Sequence, residues 1–202
     1  MSVRSERRRV VKPPDVRRHE LMDAAVGVFH QKGITKATVS DITEAAGVAK
    51  GTFYLYFDSK EHLLAALKDR FVDALLDRAA ALYERVGQDD WWALADTSVQ
   101  TMVDFMLERR DMIEVFAQEG LTPEARRIFA DCENKLRMMF SAGIAAGIEA
   151  GAFRVIDPLM AATLLDHAVH GSVEHAILYD EDIDRDRLLA SARELTRKFL
   201  AP

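Results

Sequence analysis

The sequence has little of what disulfide-stabilised, secreted or membrane-spanning proteins need. Its 202 residues include one cysteine, Cys132, which excludes an intramolecular disulfide and a metal site built from several cysteines. No run of 18 apolar residues occurs, so no transmembrane helix is predicted and no membrane partner is expected. The charged N-terminus is not followed by the apolar segment of a signal peptide. These absences favour a protein of the reducing cytoplasm.

Helix breakers and catalytic motifs are scarce too. With 10 Gly, 5 Pro and abundant Ala, Leu, Arg and Glu, the composition predicts an all-α protein. The chain has no Ser-His-Asp order, no glycine-rich phosphate loop and no HExxH zinc motif. Cys132 stands between Asp131 and Glu133, whose charges raise the pKa of a thiol rather than activate it. We therefore expect no catalytic residues, no bound metal, no cofactor and no enzymatic activity.

Positive charge is in the minority, and its distribution is uneven. The chain has a net charge of −6, yet residues 1–60 carry +4 and residues 61–202 carry −10. This uneven distribution of charge indicates that one part of an otherwise acidic protein binds nucleic acid. We predict a basic, flexible arm over residues 1–14, which is either only a solvated tail or an extension that adds phosphate and minor-groove contacts. Its basic residues are Arg4, Arg7, Arg8, Arg9 and Lys12.

Residues 38–60, TVSDITEAAGVAKGTFYLYFDSK, carry the strongest functional pattern. Thr38 is a natural helix N-cap, and Gly47 can take the left-handed conformation that ends a helix. A second helix is predicted from Lys50 to about Phe57, with Phe53 and Phe57 on its inward face. The side chains predicted to point outward are Lys50, Thr52, Tyr54 and Tyr56. A short helix, a glycine turn and a second helix with such a face are typical of the helix-turn-helix motif, which enters the major groove of DNA.

This stretch resembles the DNA-binding domain of the TetR family of bacterial transcriptional repressors. The resemblance covers about residues 16–70 without a gap, and it assigns Thr38 and Ser40 to phosphates. Residues 50–52 would lie nearest the base edges, the two tyrosines would contact bases or backbone, and Lys60 would contact a phosphate. The implied DNA-binding residues are Thr38, Ser40, Lys50, Gly51, Thr52, Tyr54, Tyr56 and Lys60. Leu55 departs from the family, whose members often have a polar residue there; it either reads a thymine methyl or simply packs.

The organisation that follows is an N-terminal three-helix DNA-binding domain over residues 15–60 and a C-terminal helical ligand-binding and dimerisation domain over residues 61–202. About nine helices are predicted. The fourth begins after the Ser59 cap, runs into the eighties and links the two halves. In members of the family this helix swings when a ligand binds, and the separation of the two DNA-reading domains of a dimer then changes.

Methionine and aromatic residues are concentrated in the middle helices. Such residues form plain core in most proteins and adaptable ligand cavities in some. Together with the family resemblance, they predict a cavity for a small apolar or aromatic inducer. The candidate ligand-binding residues are Trp91, Trp92, Met102, Phe105, Met106, Phe116, Met139 and Phe140.

The last two long helices are predicted to form a homodimer interface, because in the family they make a four-helix bundle with those of the partner. The candidate interface residues are Leu164, Ala168, Gly171, His175, Leu188 and Leu195. His167, His170 and Glu174 have a spacing that a metal or haem site also allows. Small residues on the same helix favour the interface interpretation.

These observations predict a ligand-responsive transcriptional regulator, a repressor that binds a palindromic double-stranded DNA operator as a homodimer and is released by an inducer. Two alternatives stay open. The first is a helical-bundle carrier of a small molecule or haem, in which the two short helices are only structural. The second is a DNA-binding regulator without a working ligand pocket.

Overall fold

The structure, a computed structural model, describes residues 13–86, 90–118 and 122–201. These ranges contain nine α-helices and no strands, which confirms the predicted all-α fold. The basic arm lies outside the described residues except for Pro13 and Pro14. The helices are α1 Pro14–Lys32, α2 Val39–Ala45, α3 Lys50–Phe53, α4 Lys60–Val86, α5 Trp91–Glu108, α6 Arg110–Phe116, α7 Pro123–Glu149, α8 Pro158–Tyr179 and α9 Arg185–Leu200.

Side-chain caps fix where the regulatory helices begin. Thr122 Oγ1 accepts a hydrogen bond from the Ala125 N–H (3.2 Å), and Asp157 Oδ1 accepts from the N–H groups of Leu159 and Met160 (3.0 Å each). In both cases the first helical residue is a proline, which lacks the N–H that would otherwise need a partner. The same rule explains why α1 begins at Pro14, one residue before the predicted start.

The third helix is shorter than predicted and ends at Phe53 rather than near Phe57. After Phe53 the chain tightens into hydrogen bonds of the i→i+3 type, from the Tyr56 N–H to the Phe53 carbonyl (3.0 Å), for example. The prediction that Phe53 and Phe57 share the core is nonetheless confirmed, since both are buried with ring centroids 5.6 Å apart. Burial of this aromatic pair therefore holds the segment in place without a full helix.

One apolar core extends from the DNA-binding helices into the regulatory helices, and α4 lies at its centre. Leu63, Leu67 and Phe71 of α4 are buried against it. A second, smaller cluster surrounds Ile144 and Phe153 near the end of α7. In the described part of the chain, none of the helices is both long enough and apolar enough to cross a membrane.

Candidate DNA-binding surface and ligand cavity

The start of α2 is the first part of the candidate DNA-binding surface. Thr38 and Asp41 form a reciprocal capping box: the Asp41 N–H donates to Thr38 Oγ1 (3.2 Å), and the Thr38 N–H donates to Asp41 Oδ2 (2.9 Å). The Lys32 ammonium also donates to Asp41 (2.7 Å), and the bonds from Lys32 and Thr38 lower the pKa of this carboxyl to about 2. Because the Thr38 hydroxyl donates to Asp41 as well, it serves the cap, whereas Ser40 is exposed beside it.

The segment that begins with α3 is the second part of this surface. Lys50 and Gly51 are exposed at its start, and Lys50 is one of the side chains predicted to point outward. Tyr54 is 52% exposed and Leu55 is 77% exposed, so neither side chain is held in the core. Thr52 and Tyr56 are half-buried, and Tyr56 also packs against the core. The surface therefore combines a cation, a tyrosine and an unusually exposed leucine.

Lys60 has a different role from the predicted phosphate contact. Its ammonium donates to the carbonyl oxygens of Ile34 (2.6 Å) and Ala37 (2.9 Å), which lie in the connection between α1 and α2. These bonds satisfy two carbonyl groups that no helix pairs, and they fasten that connection to the first turn of α4. Lys60 is therefore a structural lysine in this arrangement rather than a free surface cation.

The net charge of the described DNA-binding helices is smaller than the segment total suggested. Residues 13–60 contain six Lys and Arg and six Asp and Glu, so their formal charge is zero. The excess of +4 in residues 1–60 comes entirely from residues 1–12. The positive net charge of the N-terminal segment therefore belongs to residues 1–12 and not to the described helices.

A cavity of about 560 Å³ lies between α4, α5, α7, α8 and α9. Its lining is dominated by alanine, glycine, aromatic and aliphatic side chains, as is usual in small-molecule sites. Of the predicted ligand-binding residues, the structure places Trp91, Met102, Met139 and Phe140 in this lining.

The other four predicted ligand-binding residues do not line the cavity. Trp92 packs edge-on against Phe153, behind the lining, with the ring centroids 5.0 Å apart. Met106 is fully buried in the main core, and Phe105 and Phe116 each pack against Phe71 of α4. Phe105, Met106 and Phe116 therefore belong to the main core, on the side of α5 and α6 that faces the first half of α4, whereas Trp92 belongs to the smaller cluster around Phe153.

Sequence reasoning missed most of the cavity wall. Tyr83, Glu84, Phe153, Asp166 and Thr196 belong to the lining and come from four different elements. The space itself depends on small side chains on several helices, which give no signal in a single sequence. The small residues of the lining are Ala79, Ala80, Ala95, Ala142, Gly143, Ala146 and Ala162.

A second cleft, of about 850 Å³, lies where α1 meets α4 and the α5–α6 junction. Its lining is charged, with Asp23, Arg70, Glu108 and Arg109 among its residues. Arg70 pairs with Asp23 (2.9 Å), which places an ion pair across the cleft between α4 and α1. This cleft separates the two halves of the molecule, and the apolar cavity is the better match to a small apolar ligand.

Comparison with known proteins decides the family. The model of "Bacterial regulatory proteins, tetR family" matches residues 21–67, and that of the "Tetracyclin repressor-like, C-terminal domain" matches residues 96–174. The chain belongs to the TetR family. Both the DNA-binding helices and most of the regulatory helices of this TetR-family regulator therefore fall within matched segments.

Two curated relatives and one solved structure illustrate how far the likeness extends. The uncharacterised transcriptional regulator YvdT of Bacillus subtilis is 35% identical over 102 residues, which are 50% of this chain and 51% of YvdT, so the match spans about half the length of that relative. The transcriptional repressor KstR2 of Rhodococcus jostii is 28% identical over 68% of each chain. FadR of Bacillus subtilis, solved in complex with stearoyl-CoA, has a TM-score of 0.75 at 22% identity, covering 88% of this chain and 96% of FadR.

An exposed apolar face on α8 and α9 of the TetR-family regulator carries the predicted dimer residues. Leu164 is 51% exposed and Leu195 is 42% exposed, while Gly171 and His175 are also at the surface. Ala168 and Leu188 are half-buried at its edge. Exposed leucines on two neighbouring helices are what an unpaired half of an interhelical interface presents.

The histidines of α8 have no metal-binding cluster around them: among the described residues, no group of three or more His, Cys, Asp or Glu side chains is arranged to hold a metal ion. Burial is the main reason why the pKa of His170 is lowered, with the charge of Lys68 as the next cause. His175 packs against Tyr179 with ring centroids 4.9 Å apart.

Two of the connections between the DNA-binding helices of this TetR-family regulator and its regulatory helices lead towards the cavity side or bridge from α6. The first is α4, which begins at the Lys60 clamp and lines the cavity near its other end through Ala79, Ala80, Tyr83 and Glu84. The second is Gln118, after α6, which accepts from the Ile34 N–H (2.8 Å) and donates to the Phe29 carbonyl (3.1 Å). Sequence reasoning anticipated the first connection, and nothing in the sequence pattern singled out Gln118.

Proposed function

We propose that this chain is a ligand-responsive repressor that binds a palindromic DNA operator as a homodimer and leaves it when a small, predominantly apolar molecule occupies the cavity. The observation that carries the proposal is the continuity of α4, whose first residues are bonded to the DNA-binding helices and whose last turns line the cavity. A regulator of transcription works where the chromosome is, so the proposed location is the cytoplasm.

The proposed DNA contacts come from the exposed residues of two elements. Ser40 and the exposed N-terminal edge of α2 would contact phosphates, and Lys50, Gly51 and Tyr54 would enter the major groove. Lys60 would act by positioning, because its bonds to Ile34 and Ala37 set the angle between α4 and the helix-turn-helix.

The proposed dimer would pair α8 and α9 with their copies through the exposed face that contains Leu164 and Leu195. A second subunit is needed for a palindromic site, since two recognition segments must reach major grooves about 34 to 36 Å apart. Charged substitution at both leucines, L164E with L195E, should give a monomer in sedimentation and remove operator binding. A dimer of unchanged mass would reject this interface.

The experiment that tests the proposed function is selection of binding sites from random duplex DNA by the full-length protein. The expected product is an inverted repeat, bound with an affinity that falls steeply as salt concentration rises. Recovery of no common sequence would reject DNA recognition by the helix-turn-helix. The selected operator then serves to screen small molecules for release of the protein.

A further inference from the structure

The wall of the ligand cavity carries acidic groups and no basic ones. Among the described residues that line it, Glu84 and Asp166 are the carboxylic acids, and Lys, Arg and His are absent. The connection between α4 and α5 contains Gly87, Gln88 and Asp89, so its sequence adds no basic side chain. The other polar side-chain groups in the lining are the hydroxyls of Tyr83, Ser98 and Thr196 and the indole N–H of Trp91.

Asp166 is the deeper of the two acids. It is half-buried on α8, whereas Glu84 is exposed at the edge of the cavity. Burial is the main reason why the pKa of Asp166 is raised, and the other influences on it are the charges of His170, His167, Glu133 and Lys68 rather than a hydrogen bond. A carboxylate in an apolar wall without a bonded donor is costly, and a ligand that brings a donor relieves that cost.

Lys68, whose charge acts on Asp166, is committed to other partners. Lys68 is only 6% exposed, and its ammonium lies 4.9 Å from the ring centroid of Phe116 and 5.2 Å from that of Phe129. The same ammonium is 3.6 Å from Glu133 Oε1. The charged side chains of the lining itself, Glu84 and Asp166, are both acidic.

This arrangement disfavours anionic ligands. A carboxylate or phosphate placed in the cavity would meet Asp166 and Glu84 and find no cation in the lining, and an unpaired buried charge is strongly unfavourable. Stearoyl-CoA, the ligand in the FadR structure, carries phosphates that need cationic partners. By contrast, the aromatic rings of Trp91, Phe140 and Phe153 offer faces that attract a cation.

We propose that the cavity selects an amphipathic cation, a molecule with an apolar body and one amine group that lies against Asp166. The apolar body would occupy the space between α5 and α7, and the ammonium would donate hydrogen bonds to the Asp166 carboxylate. This inference deepens the proposed function and rests on it for the effect on DNA, but the selection itself is measurable without DNA.

The test compares three probes that share one alkyl chain and differ in head group: decylamine, decan-1-ol and decanoate. The chain contains two tryptophans, Trp91 in the lining and Trp92 against Phe153, so intrinsic fluorescence reports occupancy of the cavity in the full-length protein. We expect decylamine to bind at least about tenfold more tightly than decanoate. Equal or tighter binding of decanoate, or binding of none of the three probes, would overturn the proposal.

Variants test whether the preference for decylamine comes from the charge of the Asp166 carboxylate or from the shape of the cavity. D166N should reduce the preference for decylamine over decan-1-ol by about tenfold and leave the affinity for decan-1-ol unchanged. The matched control is D77N, which removes the same charge from an exposed position of α4 outside the lining and should change nothing. An unchanged preference in D166N would overturn the assignment of Asp166. E84Q provides a second variant, and because Glu84 is exposed the substitution should not affect folding. It should lower the preference for decylamine over decan-1-ol by a smaller factor than D166N does.

Operator release distinguishes this inference from the proposed function. Binding of decylamine without release of the selected operator would support the ligand class and reject the inducer role. Release by decanoate but not by decylamine would support the inducer role and overturn the ligand class.

Discussion

At the scale of single residues, the exposure of Leu55 bears directly on the proposed DNA recognition. This side chain is 77% exposed on the segment that carries Lys50 and Tyr54. An apolar side chain in water contributes no packing to the stability of the fold. The major groove offers one apolar feature, the methyl group of thymine. Leu55 is not packed in the core of the chain, and we propose that it contacts a thymine methyl.

L55A should therefore weaken binding to the selected operator by about 1 kcal/mol without a change in thermal stability, because an exposed side chain contributes little to folding. Single replacement of each operator thymine by deoxyuridine removes one methyl group at a time. One such replacement should weaken wild-type binding and have no effect on L55A. If every replacement costs the same in both proteins, Leu55 does not read a methyl group.

Asp41 gives a residue-scale prediction about pH. Its pKa in the folded protein is about 2, below the ordinary value of 3.8, because it accepts bonds from Lys32 and Thr38. The stabilisation is thus fully present above the ordinary pKa and is lost as the pH falls from about 4 towards 2. D41N should lower the urea midpoint at pH 6, and its difference from wild type should shrink at pH 3. A difference that is constant across this range would show that the charge of Asp41 contributes nothing.

At the scale of helices, the end of α7 is held by close contact between Gly147 and Phe153. A Cβ atom at position 147 would overlap the Phe153 ring, and that ring is itself packed against both Trp91 and Trp92. Gly143, one turn earlier on the same helix, has open space where its Cβ would lie. The two glycines therefore have opposite tolerance for the same substitution.

G147A should destabilise the protein by about 1 to 3 kcal/mol, because the crowded ring must move. G143A is the matched control, and it should be neutral or stabilising by up to about 1 kcal/mol, since alanine is the better helix former. Chemical unfolding of both variants measures the difference. Equal stability of G147A and G143A would contradict the contact.

The elements that sequence reasoning placed well are those with local signals. Thr122, Asp157 and the prolines that follow them mark helix starts that depend only on neighbouring residues. Phe105 and Phe116 pack against Phe71 rather than line the cavity, and local periodicity does not show whether an aromatic face meets another helix or a void. The cavity wall arises from alanines and glycines that become neighbours only after α4, α5 and α7 have packed together.

At the scale of the whole molecule, the positive net charge and the proposed base-reading residues occupy different parts of the chain. Residues 13–60 have a formal charge of zero, whereas residues 1–12 carry +4. Deletion of residues 2–12 should therefore weaken operator binding and reduce the slope of log K against log salt by about 2 to 4, since each neutralised phosphate contributes about 0.9.

The base preference recovered by site selection should persist in the deletion variant, because Lys50, Tyr54 and Leu55 are retained. A full-length variant with the arm's four arginines changed to glutamine is the control for chain length. An unchanged salt slope in both variants would show that the arm does not contact phosphates.

The length of α4 has a geometric consequence for regulation. Its 27 residues span about 40 Å, so a rotation of about 5° around the cavity end moves the Lys60 end by about 3.5 Å. In a two-fold dimer the displacements are opposite, and the separation of the recognition segments changes by about 7 Å, a fifth of the 34 to 36 Å repeat. Under the proposed function, a ligand that tilts α4 by only a few degrees would move the two recognition segments away from the spacing of successive major grooves.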